Sequence, residues 1–261
     1  GFDIYDRGRG SILSDKIRAT RTLIRDNEVR FENAWGICDE DIYSKMLSVA
    51  DANYRAGKPF FNFVMTTSNH RPYTYPANRI DIPSGTGRKG AVKYTDYALR
   101  KMLEASRSKP WFSNTVFVIV ADHCASSAGR NEIDVANYRI PAFIFNLPQA
   151  FAQKVSKQCS QIDLFPTLFG MMGWNYASNF FGKDVFGPDF EERALIATYR
   201  KLALLKKNRV MILSDQKKQN FYRWDSKSNN LSLLPTDKGF LEETIAWYQT
   251  ADYLFNHKLL K

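Results

Sequence analysis

Histidine and cysteine are scarce in this chain, at three each among 261 residues. Cys38, Cys124 and Cys159 show no C-x-x-C spacing, which excludes zinc-finger and thioredoxin-like sites. An odd count leaves at least one thiol without an intrachain partner. A Cys124–Cys159 bridge is open to a protein outside the cytosol, and buried free thiols are the alternative. No apolar run approaches the roughly 20 residues that cross a bilayer, and no signal peptide stands at the front. No Gly/Ser-rich or Pro-rich linker divides the chain, which favours one large unit over two.

What is present is a globular composition. A hydrophobic content of 44% is enough to bury a sizeable core. The net charge of +10 and a pI near 9.4 call for an anionic partner. Lysines and arginines are spread throughout, and the densest cluster, Arg200 to Arg209, is interrupted by Leu202 to Leu205. That pattern reads as strand and turn with a solvated face. With no zinc finger, RNA-binding strand signature or groove-reading basic helix, nucleic acid is not the expected partner. Anionic lipid or glycan-phosphate is.

Periodicity predicts an α/β order. Asp39 is placed to cap a helix over Glu40 to Ala56, with Ile42, Met46, Leu47, Ala50 and Tyr54 on one face and Gly57 as its stop. A loop over Ile80 to Gly90 precedes a second helix from Ala91 to Ser106. Strand, helix, strand at this spacing implies a right-handed crossover and parallel pairing. A short strand follows at Ala142 to Phe145. From Arg193 the texture changes to short strands suited to antiparallel pairing, at Ala194–Tyr199, Leu202–Leu205, Val210–Leu213 and Asn220–Trp224. An amphipathic helix from Leu241 to Leu260 closes the chain, and His257 on it reads as a surface residue.

Two apolar runs end in chemistry. Thr115 to Ala121 is a β-branched run that reads as a strand buried on both faces, and it empties into Asp122-His123. One carboxylate oxygen and one imidazole nitrogen at a strand's carboxyl end suit Mn²⁺ or Zn²⁺. A capping Asp followed by a hydrogen-bonded His is the plainer reading. Phe60 to Thr66, a second buried run, empties into Thr67-Ser68-Asn69-His70-Arg71-Pro72-Tyr73. If both strands belong to one parallel sheet, His70 and His123 share a rim. A turn histidine held by Asn69 and Pro72 is the alternative for His70.

The segments Trp35 to Asp41, Thr66 to Pro76, Tyr94 to Ala98 and Val120 to Cys124 resemble the lipoteichoic acid synthase and phosphoglycerol transferase group. This is the membrane-anchored, sulfatase-like branch of the alkaline phosphatase superfamily. Ser160 to Leu168 and Phe181 to Phe186 are similar to the helix and loop late in such domains. The resemblance implies an α/β, mostly parallel sheet flanked by helices, with a small antiparallel C-terminal subdomain. Residues 1–192 would be the carboxyl-terminal portion of the catalytic domain. Residues 193–261 would add the antiparallel strands and closing helix within the same globular unit.

By the same resemblance, Asp122 and His123 are metal ligands, and His70 is a catalytic, substrate-facing residue with Asn69 and Arg71 beside it. The ion implied is a single divalent metal, Mn²⁺ first, with Mg²⁺ or Zn²⁺ as alternatives. The family's nucleophilic threonine and its acidic ligand find no counterpart among these motifs. The chain is therefore expected to be the carboxyl-terminal part of a longer, membrane-anchored protein, and silent on its own. If it were active alone, Thr66, Thr67, Ser68 and Ser126 would be the nucleophiles to test. The implied activity is extracytoplasmic transfer of a phosphoglycerol-type group, through a phospho-threonine intermediate, from an anionic phospholipid to a glycan or lipid acceptor. A phosphate or sulfate ester hydrolase and a non-catalytic module binding anionic lipid are the other readings. A sulfatase proper would need a Cys/Ser-x-Pro-x-Arg segment, which does not occur.

Overall fold

In the computed structural model, which describes residues 2–5, 24–147 and 151–259, the chain forms two compact units, Gly1–Thr115 and Val116–Lys261. The division expected between residues 192 and 193 falls inside the second unit. The first unit runs β1 (Phe2–Tyr5), β2 (Glu32–Asn33), β3 (Gly36–Ile37), α1 (Asp39–Arg55), β4 (Phe61–Val64) and α2 (Arg88–Arg107). β1 and β4 pair in parallel, with Phe2 opposite Phe61 and Tyr5 opposite Val64.

The two helices form as the spacing predicts. α1 buries Ile42, Tyr43, Met46 and Ala50, and α2 buries Ala91, Tyr94, Ala98 and Met102, each a stripe at helical period. Ala91 and Ala98 carry little bulk, and α1 and α2 pack together. Fully burying side chains such as Met46 and Met102 stabilises by about 1.5–3 kcal/mol each. Two expectations are corrected. The cap position of α1 is Cys38, and Asp39 is the first helical residue, its carboxylate drawn to a distant loop instead. β4 is not buried on both faces: Phe61 and Phe63 are exposed while Asn62 and Val64 are half-buried, because successive strand residues alternate between faces.

The second unit opens with β5 (Phe117–Val120) and β6 (Ala142–Phe145), which pair antiparallel with Val120 opposite Ala142. The expected double-sided burial of the β5 run is also corrected: its residues are half-buried. The connection to β6 holds only a 3-10 turn at Val135–Tyr138, and a chain that reverses through a loop returns antiparallel. After α3 (Leu164–Met171) come β7 (Ala194–Thr198), β8 (Lys201–Lys206), β9 (Arg209–Ser214), β10 (Gln219–Asp225) and β11 (Asn230–Leu234). They form an antiparallel meander in the order β11-β10-β9-β8-β7, and β11 is an addition to the four strands expected. α4 (Lys238–Asn256) begins three residues before the expected Leu241 because Asp237 accepts a bond from the Phe240 N–H and caps it. The expected end at Leu260 lies outside the described residues.

Alternation gives this sheet two apolar faces. Leu204, Met211 and Phe221 meet Phe240 of α4 on one face. Ala203, Leu205, Val210 and Ile212 meet Ile133 and Val135 on the other. The second face clamps the loop that follows Asp122-His123. All three cysteines are free, so the Cys124–Cys159 bridge is not formed. Burial pushes the Cys38 thiol up to about 12, which leaves it an inert core group.

Candidate active site

In the first unit, Asp39 organises the loop that carries His70. Its side chain is fully buried, and Oδ1 accepts the backbone N–H groups of Thr67 and Ser68 at 3.1 and 3.0 Å. Oδ2 accepts the Thr95 hydroxyl at 3.1 Å, and the Asp39 N–H donates to Ser68 Oγ at 3.1 Å. Burial raises the Asp39 carboxyl above its ordinary value, against the lowering by the Ser68, Thr67 and Thr95 hydrogen bonds. Beyond this anchor, the His70 N–H bonds to the Thr67 carbonyl and the Tyr73 N–H to the His70 carbonyl, closing successive turns. Asn69, His70 and Arg71 are all exposed at the tip. His70 Nδ1 lies 3.3 Å from the Arg71 carbonyl oxygen. A carbonyl can only accept, so Nδ1 carries the proton in that contact and Nε2 is left as the ring nitrogen with a free lone pair.

In the second unit, Asp122 and His123 follow β5 after one residue, Ala121, at the strand end where the sequence places them. Their side chains are 69% and 75% exposed, and His123 Nε2 stands 3.3 Å from Asp122 Oδ2. His123 Nδ1 is 2.7 Å from the Cys124 carbonyl oxygen, to which it donates. The nitrogen facing Asp122 is therefore free to act as a lone-pair donor, the orientation that backbone-tethered metal histidines adopt. Two ligands at about 2.0–2.2 Å from one tetrahedral ion stand about 3.3–3.6 Å apart, which the observed separation matches. The donor pair thus fits two corners of a divalent-ion site. Among the described residues, no third His, Cys, Asp or Glu joins them in a cluster.

His70 belongs to the first unit and the Asp-His pair to the second, so each is placed within its own unit. His257, expected at the surface, sits at the end of α4 with Nδ1 on the Tyr253 carbonyl at 2.8 Å.

The loop after Asp122 is held by residues the sequence did not single out. Gln161 Nε2 donates to the Ala121 and Asp122 carbonyls at 2.8 and 3.2 Å. Gln161 is itself fixed by its neighbour Asp163, whose carboxylate forms a bidentate pair with Arg193 at 2.6 and 2.7 Å and accepts the Ser160 and Lys183 N–H groups. The Asp163 and Arg193 side chains are 2% and 3% exposed. The signal for Asp163 was a lone carboxylate in an apolar stretch that had to find a partner. Downstream, Glu132 accepts from Lys201, Asn220 and Tyr222 at 3.1, 2.9 and 2.8 Å. Burial alone would raise the Glu132 carboxyl, but these donors outweigh it and hold it below its ordinary value. Asp134 accepts from Asn229 and from the Arg130 N–H, and it fills the space a Cβ on Gly129 would need.

The sulfatase family model matches residues 6–174. Among curated relatives, phosphoglycerol transferase I of Salmonella arizonae is 25% identical over 131 residues, 48% of this chain and 17% of the relative. The phosphoglycerol transferase I of Xanthomonas campestris pv. campestris is 24% identical over 214 residues, 77% of this chain and 30% of the relative. The chain thus spans less than a third of these relatives' length. Among solved structures, an alkaline phosphatase superfamily protein from Vibrio parahaemolyticus superposes with a TM-score of 0.84 at 25% identity, over 100% of this chain and 66% of that one. The lipoteichoic acid synthase LtaP from Listeria monocytogenes gives 0.74 at 16% identity, over 98% and 70%, a likeness of fold.

Proposed function

This chain belongs to the sulfatase family, and on that premise we propose that it forms part of a metal-dependent transferase that moves a phosphoglycerol-type group from an anionic membrane lipid to a glycan or lipid acceptor. The observation that carries the reading is the Asp122–His123 donor pair, oriented by the Cys124 carbonyl at the end of β5. The phosphoglycerol transferase relatives and the basic charge support the choice of substrate class.

Asp122 Oδ and His123 Nε2 are the protein atoms that would hold the ion, Mn²⁺ first, with Mg²⁺ or Zn²⁺ as alternatives. A bound divalent ion would lower the pKa of a hydroxyl nucleophile and offset charge on the phosphoryl oxygens. Cys124 holds the His123 ring in the ligating tautomer, and Gln161 holds the backbone beneath Asp122. His70 presents Nε2 toward the donor's phosphate or departing alkoxide, with Asn69 and Arg71 beside it as further donors to phosphate oxygens. In the reaction, a threonine oxygen attacks phosphorus, the bond to the diacylglycerol oxygen breaks, and that oxygen leaves with a proton. The acceptor hydroxyl then attacks phosphorus and releases the threonine. On this reading the reaction runs outside the cytoplasm. Among the described residues, no helix is long and apolar enough to cross a membrane.

The test uses the full-length protein with phosphatidylglycerol and Mn²⁺. Withholding acceptor should accumulate a phosphorylated threonine, and diacylglycerol release should keep pace with its discharge. His70→Ala should lower turnover on the order of 10²-fold or more while sparing metal content, as loss of an acid–base or phosphate-binding group does. Discharge to water at the full rate would reassign the protein as a hydrolase. Normal lipid binding without intermediate or turnover would leave only a lipid-binding module.

A further inference from the structure

The β2–β3 hairpin turns through Ala34 and Trp35, between Asn33 and Gly36, which are paired across the strands. Gly36 has a φ of 138°, which a side chain would resist, so the turn needs glycine there. Trp35 is 40% exposed, and its ring centroid lies 3.4 Å from that of His70, with the planes inclined by 33°. A large aromatic side chain left at a hairpin tip covers little core. Its contact is the one imidazole assigned above to the substrate.

Both partners of that contact are fixed from behind. Asn33 Oδ1 accepts the Trp35 N–H at 2.8 Å, and Asn33 Nδ2 donates to Thr74 Oγ1 and to the Thr74 carbonyl at 3.0 and 3.3 Å. One asparagine therefore ties the hairpin tip to the loop that carries His70. Asp41, buried at the start of α1, anchors the other end by accepting the Arg30 and Phe31 N–H groups at 2.7 and 3.2 Å. The ring of exposed His70 has one hydrogen bond to its own loop, at 3.3 Å, and would otherwise sample several rotamers.

We infer that Trp35 is a positioning residue: its indole face holds the His70 imidazole in the orientation that presents Nε2 to the substrate, with Asn33 as the brace. The inference rests on the reading of His70 given above. Displacing a reacting group by about 1 Å can cost on the order of 10²-fold in rate. Removing the indole should therefore lower kcat and leave KM within a few-fold.

The experiment has two arms. In the chain itself, ¹H–¹³C spectra should show His70 ring protons shifted upfield by the indole ring current. The shift should vanish in Trp35→Ala and survive in Trp35→Phe. In the full-length protein, Trp35→Ala should lower kcat about 10-fold or more, Trp35→Phe should restore most of it, and Asn33→Ala should fall between. Adding Trp35→Ala to His70→Ala should cost nothing further, since both act through one group. A His70→Ala variant with full turnover would refute the role of His70. A crippled His70→Ala beside an unimpaired Trp35→Ala, or unshifted His70 protons in the unsubstituted chain, would overturn the inference about Trp35 and leave His70 standing.

Discussion

The two histidine loops are held by opposite means. The His70 loop is gripped through its own backbone amides by a fully buried carboxylate, Asp39, and is braced at the tip by an aromatic ring. The Asp122–His123 loop is held at its carbonyls by Gln161 and, further along, by Ile133 and Val135 seated in the five-stranded sheet. The side chains of Asp122 and His123 stay largely in solvent. A loop clamped through its amides has its shape before any ligand arrives. An exposed carboxylate–imidazole pair keeps its hydration, so its atoms are free to exchange water for an ion without a buried charge to compensate.

The largest effect should come from the exposed pair. Asp122→Ala should weaken Mn²⁺ binding on the order of 100-fold or more, beyond what loss of a supporting contact costs, and take turnover with it. Calorimetric titration of the protein with Mn²⁺ measures the first. Unchanged affinity would remove Asp122 from the ligand set and leave the two loops alike in chemistry.

Arg193→Ala should be the most damaging to stability. It strands the buried Asp163 carboxylate, and breaking a buried pair by removing one partner costs about 3–5 kcal/mol. Denaturant unfolding would show it, and the loss should fall on the second unit. A Tm shift of the first unit alone would contradict the placement of this pair.

Asp39 and Glu132 sharpen the comparison because their carboxyls shift in opposite directions. Asp39→Ala should cost about 2–3 kcal/mol by leaving buried amide donors unsatisfied, whereas Asp39→Asn keeps an acceptor for them and should cost less. With its folded value raised, Asp39 contributes stability that is full below its unfolded value of 3.8 and is lost as pH rises through the folded value. Asparagine should therefore compare best with aspartate toward neutral pH. Glu132, with its folded value lowered, contributes stability that is present above its unfolded value of 4.5 and is lost as pH falls through the folded value. Stability profiles of Asp39→Asn and Glu132→Gln against pH should diverge from the parent with opposite slopes, and slopes of the same sign would refute the assignment.

The smallest effect belongs to Gln161→Ala. Loss of its bonds to the Ala121 and Asp122 carbonyls should cost about 1 kcal/mol, because water can replace an exposed amide. Mn²⁺ affinity should fall about 10-fold, as for other groups that orient a ligand from behind. No change in affinity would make the loop self-supporting.

Much of this was legible from residue order. Both histidine elements stand where the apolar runs end, both long helices bury most of the expected stripes, although Tyr54 at the end of α1 is exposed, and four C-terminal strands pair antiparallel. The misreadings share a cause. Asp39 looks like a cap because it precedes a helix, yet its carboxylate bonds residues 28 and 29 positions away. The β5 run looks doubly buried because it is β-branched, yet its exposure depends on which neighbours pack against it.

The sequence by itself determined which chemical groups exist and the helical and strand periods that present them, because both depend on contacts within a few residues. The tertiary structure alone decided what holds those groups. Asp163 meets Arg193 across 30 residues and Glu132 meets Tyr222 across 90. Asn33 reaches Thr74 across 41, bringing Trp35 to His70. Such partners are chosen by the need of buried or tethered polar atoms for a complement, and local order carries no record of where in the chain that complement lies.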